Sequence, residues 1–200
     1  MRTLGGKDNI AIALNIAWDV IGEDKSDFAI GVHIGPYAGQ NQGHLHYHLV
    51  KTLPFESGKP KMTRQEKTQL LCKNYSYFIF REGHWAVVVG GLWAGQCFIL
   101  PASPSLPTAK PMDIGEEASQ DLAKVLIRII TLYNEKFLSK EGLPPDYRIT
   151  LRIKNGKVFG GWYTPILNFW GFDQEIALLE GRLIVLPWPH ETTVKHLLGK

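Results

Sequence analysis

A chain of 200 residues that is 44% apolar and 20% charged can bury a real core, which excludes intrinsic disorder. Its 22 Lys and Arg against 19 Asp and Glu leave +3, too small and dispersed an excess for nucleic acid or a membrane surface, and two cysteines, Cys72 and Cys97, exclude a disulfide framework. No apolar run reaches the roughly 18 residues of a membrane span, and the opening MRTLGGKDN lacks a secretion signal, so a soluble, cytoplasmic protein is expected.

Residues 8–22 place Ile10, Leu14, Ala17, Val20 and Ile21 at helical spacing, with Asp8 as N-cap and Gly22 as stop. Residues 28–35, FAIGVHIG, are strand-like. A loop rich in glycine and side-chain amides, GPYAGQNQG, leads into a second strand, HLHYHLV, over residues 44–50. Pro54, Gly58 and Pro60 and the basic stretch from Ser57 to Lys73 read as a linker. Three strands follow, YSYFIF, HWAVVVGG and AGQCFILPA, and then a Pro-rich loop. Residues 115–138 form the clearest helix. Glu116 and Glu117 suit its positive N-terminal end, and Leu122, Val125, Leu126, Ile129, Ile130, Leu132 and Tyr133 supply its buried face. DYRITLRI and GGWYTPIL are further strands, and FDQEIALLEGRLIVLP reads as a hairpin turning at Glu180-Gly181. His84 and His190 fall in turns.

Residues Asp27 to Ile34 line up with Asp146 to Ile153 at an offset of 119. Each segment follows an apolar helix and precedes a Gly-containing loop and a strand. The expected architecture is therefore α+β with an internal duplication. A partial unit spans 1–56, a linker 57–74, and a second, degenerate unit 75–200. In that second copy Trp162, Thr164 and Ile166 stand at the places of His44, His46 and His48.

His44, His46 and His48 share one face of a strand, while Leu45, Tyr47 and Leu49 point to the other, toward a core. Three imidazoles on alternate positions suit zinc, and spacing alone does not exclude it. The preceding loop favours another chemistry. Gly35 to Gly43 is dense in glycine and side-chain amides and almost free of carboxylates, so it offers N–H donors to an anion. Histidines beside an anion cradle point to phosphoryl chemistry.

Ala38-Gly39-Gln40, then His44-Leu-His46-Tyr-His48-Leu-Val50, resembles the signature of the histidine triad (HIT) superfamily over 13 contiguous positions. The resemblance implies a HIT-like antiparallel sheet with packed helices, and nucleotidyl hydrolysis or transfer through a covalent nucleotidyl-histidine intermediate. It casts His46 as nucleophile on the α-phosphorus, His44 as its orienting partner, and His48 and Gln40 as holders of phosphate oxygens. Asn41 fills a position where many members carry Ser or Thr, and Gly39 and His33 complete the phosphate-binding set. Residues 80–198, including Glu82-Gly-His84-Trp, Gly95 to Pro101 and Gly161 to Leu167, are similar to the second half of galactose-1-phosphate uridylyltransferase-like proteins. On that likeness Phe169, Phe172 and Gln174 are candidate substrate contacts. Those proteins usually carry Pro between the first two histidines and Gln at the third. This chain has Leu45 and His48, as HIT hydrolases do.

The expected substrates are dinucleoside polyphosphates, nucleotide sugars or nucleoside phosphoramidates. The alternatives are a phosphorylase or sugar-1-phosphate nucleotidyltransferase, and a nucleotide-binding regulatory module with little turnover. No cofactor is required, although a divalent metal can assist. The partner is a small nucleotide, with neither nucleic acid nor membrane. A homodimer is a further expectation, because the first copy lacks the strand pair that normally precedes its helix.

Overall fold

The computed structural model describes residues 7–40, 44–52, 77–90, 94–101, 112–113, 116–138, 142–167 and 190–199. Asn41, Phe169, Phe172, Gln174, the 57–74 linker and the 172–187 hairpin lie outside the described residues.

The first helix, α1, spans Lys7–Ile21, so Asp8 lies inside its first turn rather than before it. Gly22, at φ 52, ends it as expected. Its buried stripe is Ile10, Leu14, Ala17, Trp18 and Ile21, whereas Val20 is 69% exposed. Trp18 takes the inward place expected of Val20, and its indole N–H donates to Ser119 Oγ. That acceptor belongs to α2 (Glu116–Lys136), the long helix, whose predicted apolar face is buried with Leu132 at its margin. A third helix among the described residues, α3 (His190–Leu198), begins at His190, where a turn was expected.

The strands are β1 (Asp27–Ile34), β2 (His48–Thr52), β3 (Phe78–Glu82), β4 (Trp85–Val89), β5 (Cys97–Pro101), β6 (Met112–Asp113), β7 (Asp146–Lys154) and β8 (Lys157–Ile166). They make one antiparallel sheet in the order β2-β1-β7-β8-β5-β4-β3, with β6 added to β8. His84 lies in the β3–β4 turn, as expected. No described helix is long and apolar enough to cross a membrane.

The helices cover one face of this sheet. Along β1, Phe28, Ile30, Val32 and Ile34 are buried against them, while Asp27, Ala29, Gly31 and His33 alternate onto the opposite face. Antiparallel pairing sets partners side by side on a common face. Gly31 therefore stands between His48 on β2 and Thr150 on β7. Gly31 and Thr150 are also the positions that the offset of 119 aligns. Thr150 in turn stands opposite Trp162 on β8. Trp162 thus stands across from Thr150 as His48 does from Gly31, whereas the sequence comparison set Trp162 beside His44.

Candidate active site

The turn after β1 closes on itself. Gly35 at φ 90 and Gly39 at φ 85 adopt backbone angles that favour glycine, and Pro36–Ala38 form one 3-10 turn between them. The amides of Ala38 and Gln40 both donate to the Gly35 carbonyl, and that of Gly39 to Pro36. Gln40 Oε1 accepts the Gly35 N–H at 2.7 Å, and its Nε2 reaches the His44 carbonyl at 3.5 Å. Gln40 thus ties the start of the turn to the first histidine of the triad.

Two side chains of β7 hold the turn from behind. Asp146 Oδ2 accepts the Tyr37 N–H at 2.7 Å, and Arg148 Nε donates to the Ala38 carbonyl at 2.8 Å. With these bonds made, the N–H groups of residues 35 and 37–40 all bond within the turn or to Asp146. Closing the turn thus uses the N–H groups of its own residues, while residues 41–43 of the expected cradle lie outside the described residues. Beside the turn stand the histidine side chains.

Those side chains converge. The rings of His44 and His46 lie 5.5 Å apart, those of His46 and His48 4.7 Å, and those of His48 and His33 5.9 Å. The expected strand over 44–50 is shorter than predicted, since β2 begins at His48 and His44 and His46 precede it. Tyr47 and Leu49 pack against the core as expected, but Leu45 is 37% exposed. His46 is half-buried, while His44 and His48 are exposed.

His46 Nδ1 lies 3.2 Å from the carbonyl of His44. A carbonyl can only accept, so Nδ1 is the donor, and in the neutral ring Nε2 is the nitrogen that carries the lone pair. Burial chiefly, then the positive charge of Arg148 and the nearness of His48, hold His33 below the ordinary histidine range. A hydrogen bond with the Gly39 backbone pulls the other way. A Cβ on Gly39 would lie 3.6 Å from His33 Nδ1 and 3.9 Å from Arg148 Nη2, so the three residues share one corner.

Asp146 and Arg148 escaped the sequence reading because they lie 109 and 110 residues along the chain from their partners. The alternating pattern of DYRITLRI identified a strand but not which neighbour it would join. Among the described residues no group of three His, Cys, Asp or Glu side chains is placed to hold a metal ion. A cavity of about 320 Å³, lined by Ile79, Phe80, Arg128 and Leu132 among others, lies at the β3 end of the sheet, opposite the triad. His84 is also remote, with Nδ1 3.3 Å from Asp121 Oδ2 on α2.

No protein-family profile matches the chain, and no curated protein matches it in sequence. Solved structures do match in fold. One described as a uridylyltransferase aligns with 96% of this chain and 66% of its own, with a TM-score of 0.65 at 16% identity. The fold is that of the uridylyltransferases. A galt-like protein from Arabidopsis thaliana shares this uridylyltransferase fold over 96% of this chain and 69% of its own, with a TM-score of 0.63 at 13% identity. An ADP-glucose phosphorylase from the same plant, solved with bound ADP-glucose, matches 98% of this chain and 66% of its own, with a TM-score of 0.59 at 13% identity. The chain thus spans about two thirds of the length of these uridylyltransferase-like structures.

Proposed function

We propose that the chain transfers or hydrolyses a nucleoside monophosphate group through a covalent intermediate on His46. The observation that carries this reading is the His46 Nδ1 contact with the His44 carbonyl, which fixes the tautomer of a half-buried ring between two other imidazoles. Nε2 then attacks the α-phosphorus, the bond to the leaving-group oxygen breaks, and that oxygen departs with the electron pair. Water, phosphate or a sugar phosphate attacks the same phosphorus in a second step and releases His46. His44 and His48 donate to phosphoryl oxygens as charge shifts.

The substrates are phosphoanhydride-linked nucleotides, and the fold shared with an ADP-glucose phosphorylase and a uridylyltransferase supports nucleotide sugars among them. The same reading extends to the architecture. The α1-β1-β2 and α2-β7-β8 segments are two copies of one unit, supported by the coincidence of the offset of 119 with the Gly31–Thr150 pair.

The test is retention of label. Wild-type protein incubated with labelled ADP-glucose, UDP-glucose and diadenosine tetraphosphate and quenched in alkali should keep label on the chain, because phosphorus–histidine bonds survive base. His46→Ala should fall to background. Absence of label from all three nucleotides on the wild type overturns the proposal.

A further inference from the structure

The face of β1 turned away from the helices presents three residues beyond its first: Ala29, Gly31 and His33. Gly31 is not in the left-handed region, so the backbone does not need glycine there. A Cβ at this position would meet only the Ile149 carbonyl oxygen, at 3.9 Å, so the space above is open. A glycine within a strand marks a close approach of something else to the backbone. Here the gap has His48 on one side and Thr150 on the other.

Two residues along β7 from Thr150 is Arg152, on the same face and exposed. Its neighbours across the sheet are Ala29 and Gly160, both small, so these two partners leave room for its side chain. Among the described residues Arg152 makes no ion pair. The carboxylate on this face of β1, Asp27, sits at the start of the strand. By strand spacing and rise, the Cα atoms of His48 and Arg152 are roughly 12 Å apart, a span that a histidine and an extended arginine can close around a phosphate over Gly31.

We propose that the group displaced from the α-phosphorus carries a second phosphate, and that this phosphate lies over Gly31 between His48 and Arg152. The inference rests on His46 being the nucleophile. As the bond from the α-phosphorus to the bridging oxygen breaks, that oxygen leaves with the electron pair and the departing phosphate gains one negative charge. Arg152 therefore meets more charge in the transition state than in the bound substrate, which speeds the step. A nucleoside phosphoramidate, whose leaving group is an amine, makes no use of Arg152. The subsite thus selects phosphoanhydrides over phosphoramidates.

The test follows the rate at which labelled ADP-glucose, UDP-glucose and adenosine phosphoramidate label His46. Arg152→Ala and Gly31→Val should each slow labelling by the nucleotide sugars about tenfold or more. Arg152→Lys should recover much of the loss, and labelling by the phosphoramidate should not change in Arg152→Ala. Thermal melts check folding, and Arg152→Ala alters an exposed side chain, so it carries the test even where Gly31→Val does not fold. Calorimetry adds a readout independent of turnover. The wild type should bind ADP or UDP about tenfold more tightly than AMP or UMP, and Arg152→Ala should bind both kinds alike. Undiminished labelling by the nucleotide sugars in Arg152→Ala, or a wild type without preference for diphosphates, overturns this proposal and leaves the role of His46 standing. No label on the wild type overturns both.

Discussion

His33 carries a pH dependence that follows from its surroundings. Burial, the Arg148 charge and His48 keep its folded pKa below the ordinary histidine value, so as pH falls the unfolded chain takes up the proton first. The contribution to stability is full above the unfolded pKa of about 6.5 and is lost as pH drops below it. Melting temperatures recorded from pH 7.5 to 5 should fall more steeply for the wild type than for His33→Gln. Parallel curves would assign the fall to other groups. His33 also shows what local sequence can convey. The triad and Gln40 were visible because their chemistry lies within 13 consecutive positions. The charge that tunes His33 was not, because Arg148 reaches it only through the pairing of β1 with β7.

Among the elements, the turn from Gly35 to Gln40 is exposed to a single change. A Cβ on Gly35 would fall 2.2 Å from Asp146 Cγ, at a φ of 90 that already disfavours any other residue. Gly35→Ala should therefore cost about 2–3 kcal/mol in urea unfolding and disturb the Tyr37–Asp146 bond that holds the turn. Adding Asp146→Ala should make the double change less costly than the sum of the single ones, a coupling that a mutant cycle reads directly. Helix α1 carries the corresponding lesson about prediction. Its sequence has two apolar rows, one through Ile10, Leu14, Ala17 and Ile21, and another through Ile12, Ile16 and Val20. The second row is exposed, and spacing alone assigned Val20 to the wrong one. Trp18 settled the matter through its bond to Ser119, a partner 101 residues away. Strand β2 is short for a related reason. Among the described strands it lies at the sheet edge with β1 as its one ladder, and that ladder ends at Gly31–His48.

Across the whole molecule, β1 and β7 join what the sequence divides into two units. Their ladder runs without interruption from Phe28–Ile153 to Ile34–Tyr147, and α1 packs on α2 above it. The described residues of the first segment thus share a core with those of the second. Urea unfolding followed by tryptophan fluorescence, by far-UV circular dichroism and by the histidine ring resonances should give coincident single transitions. A separate early transition in the histidine signals would show that the segments fold independently. The centre of that ladder has one more implication. Where an antiparallel pair relates two like segments, the residue on the axis faces its own counterpart. Two identical chains assembled this way must put the same side chain on both sides. One continuous chain is released from that rule, and here it sets glycine against threonine. The floor beside the histidines can be emptied while the other side keeps its side chain, an asymmetry that no pair of identical subunits could encode.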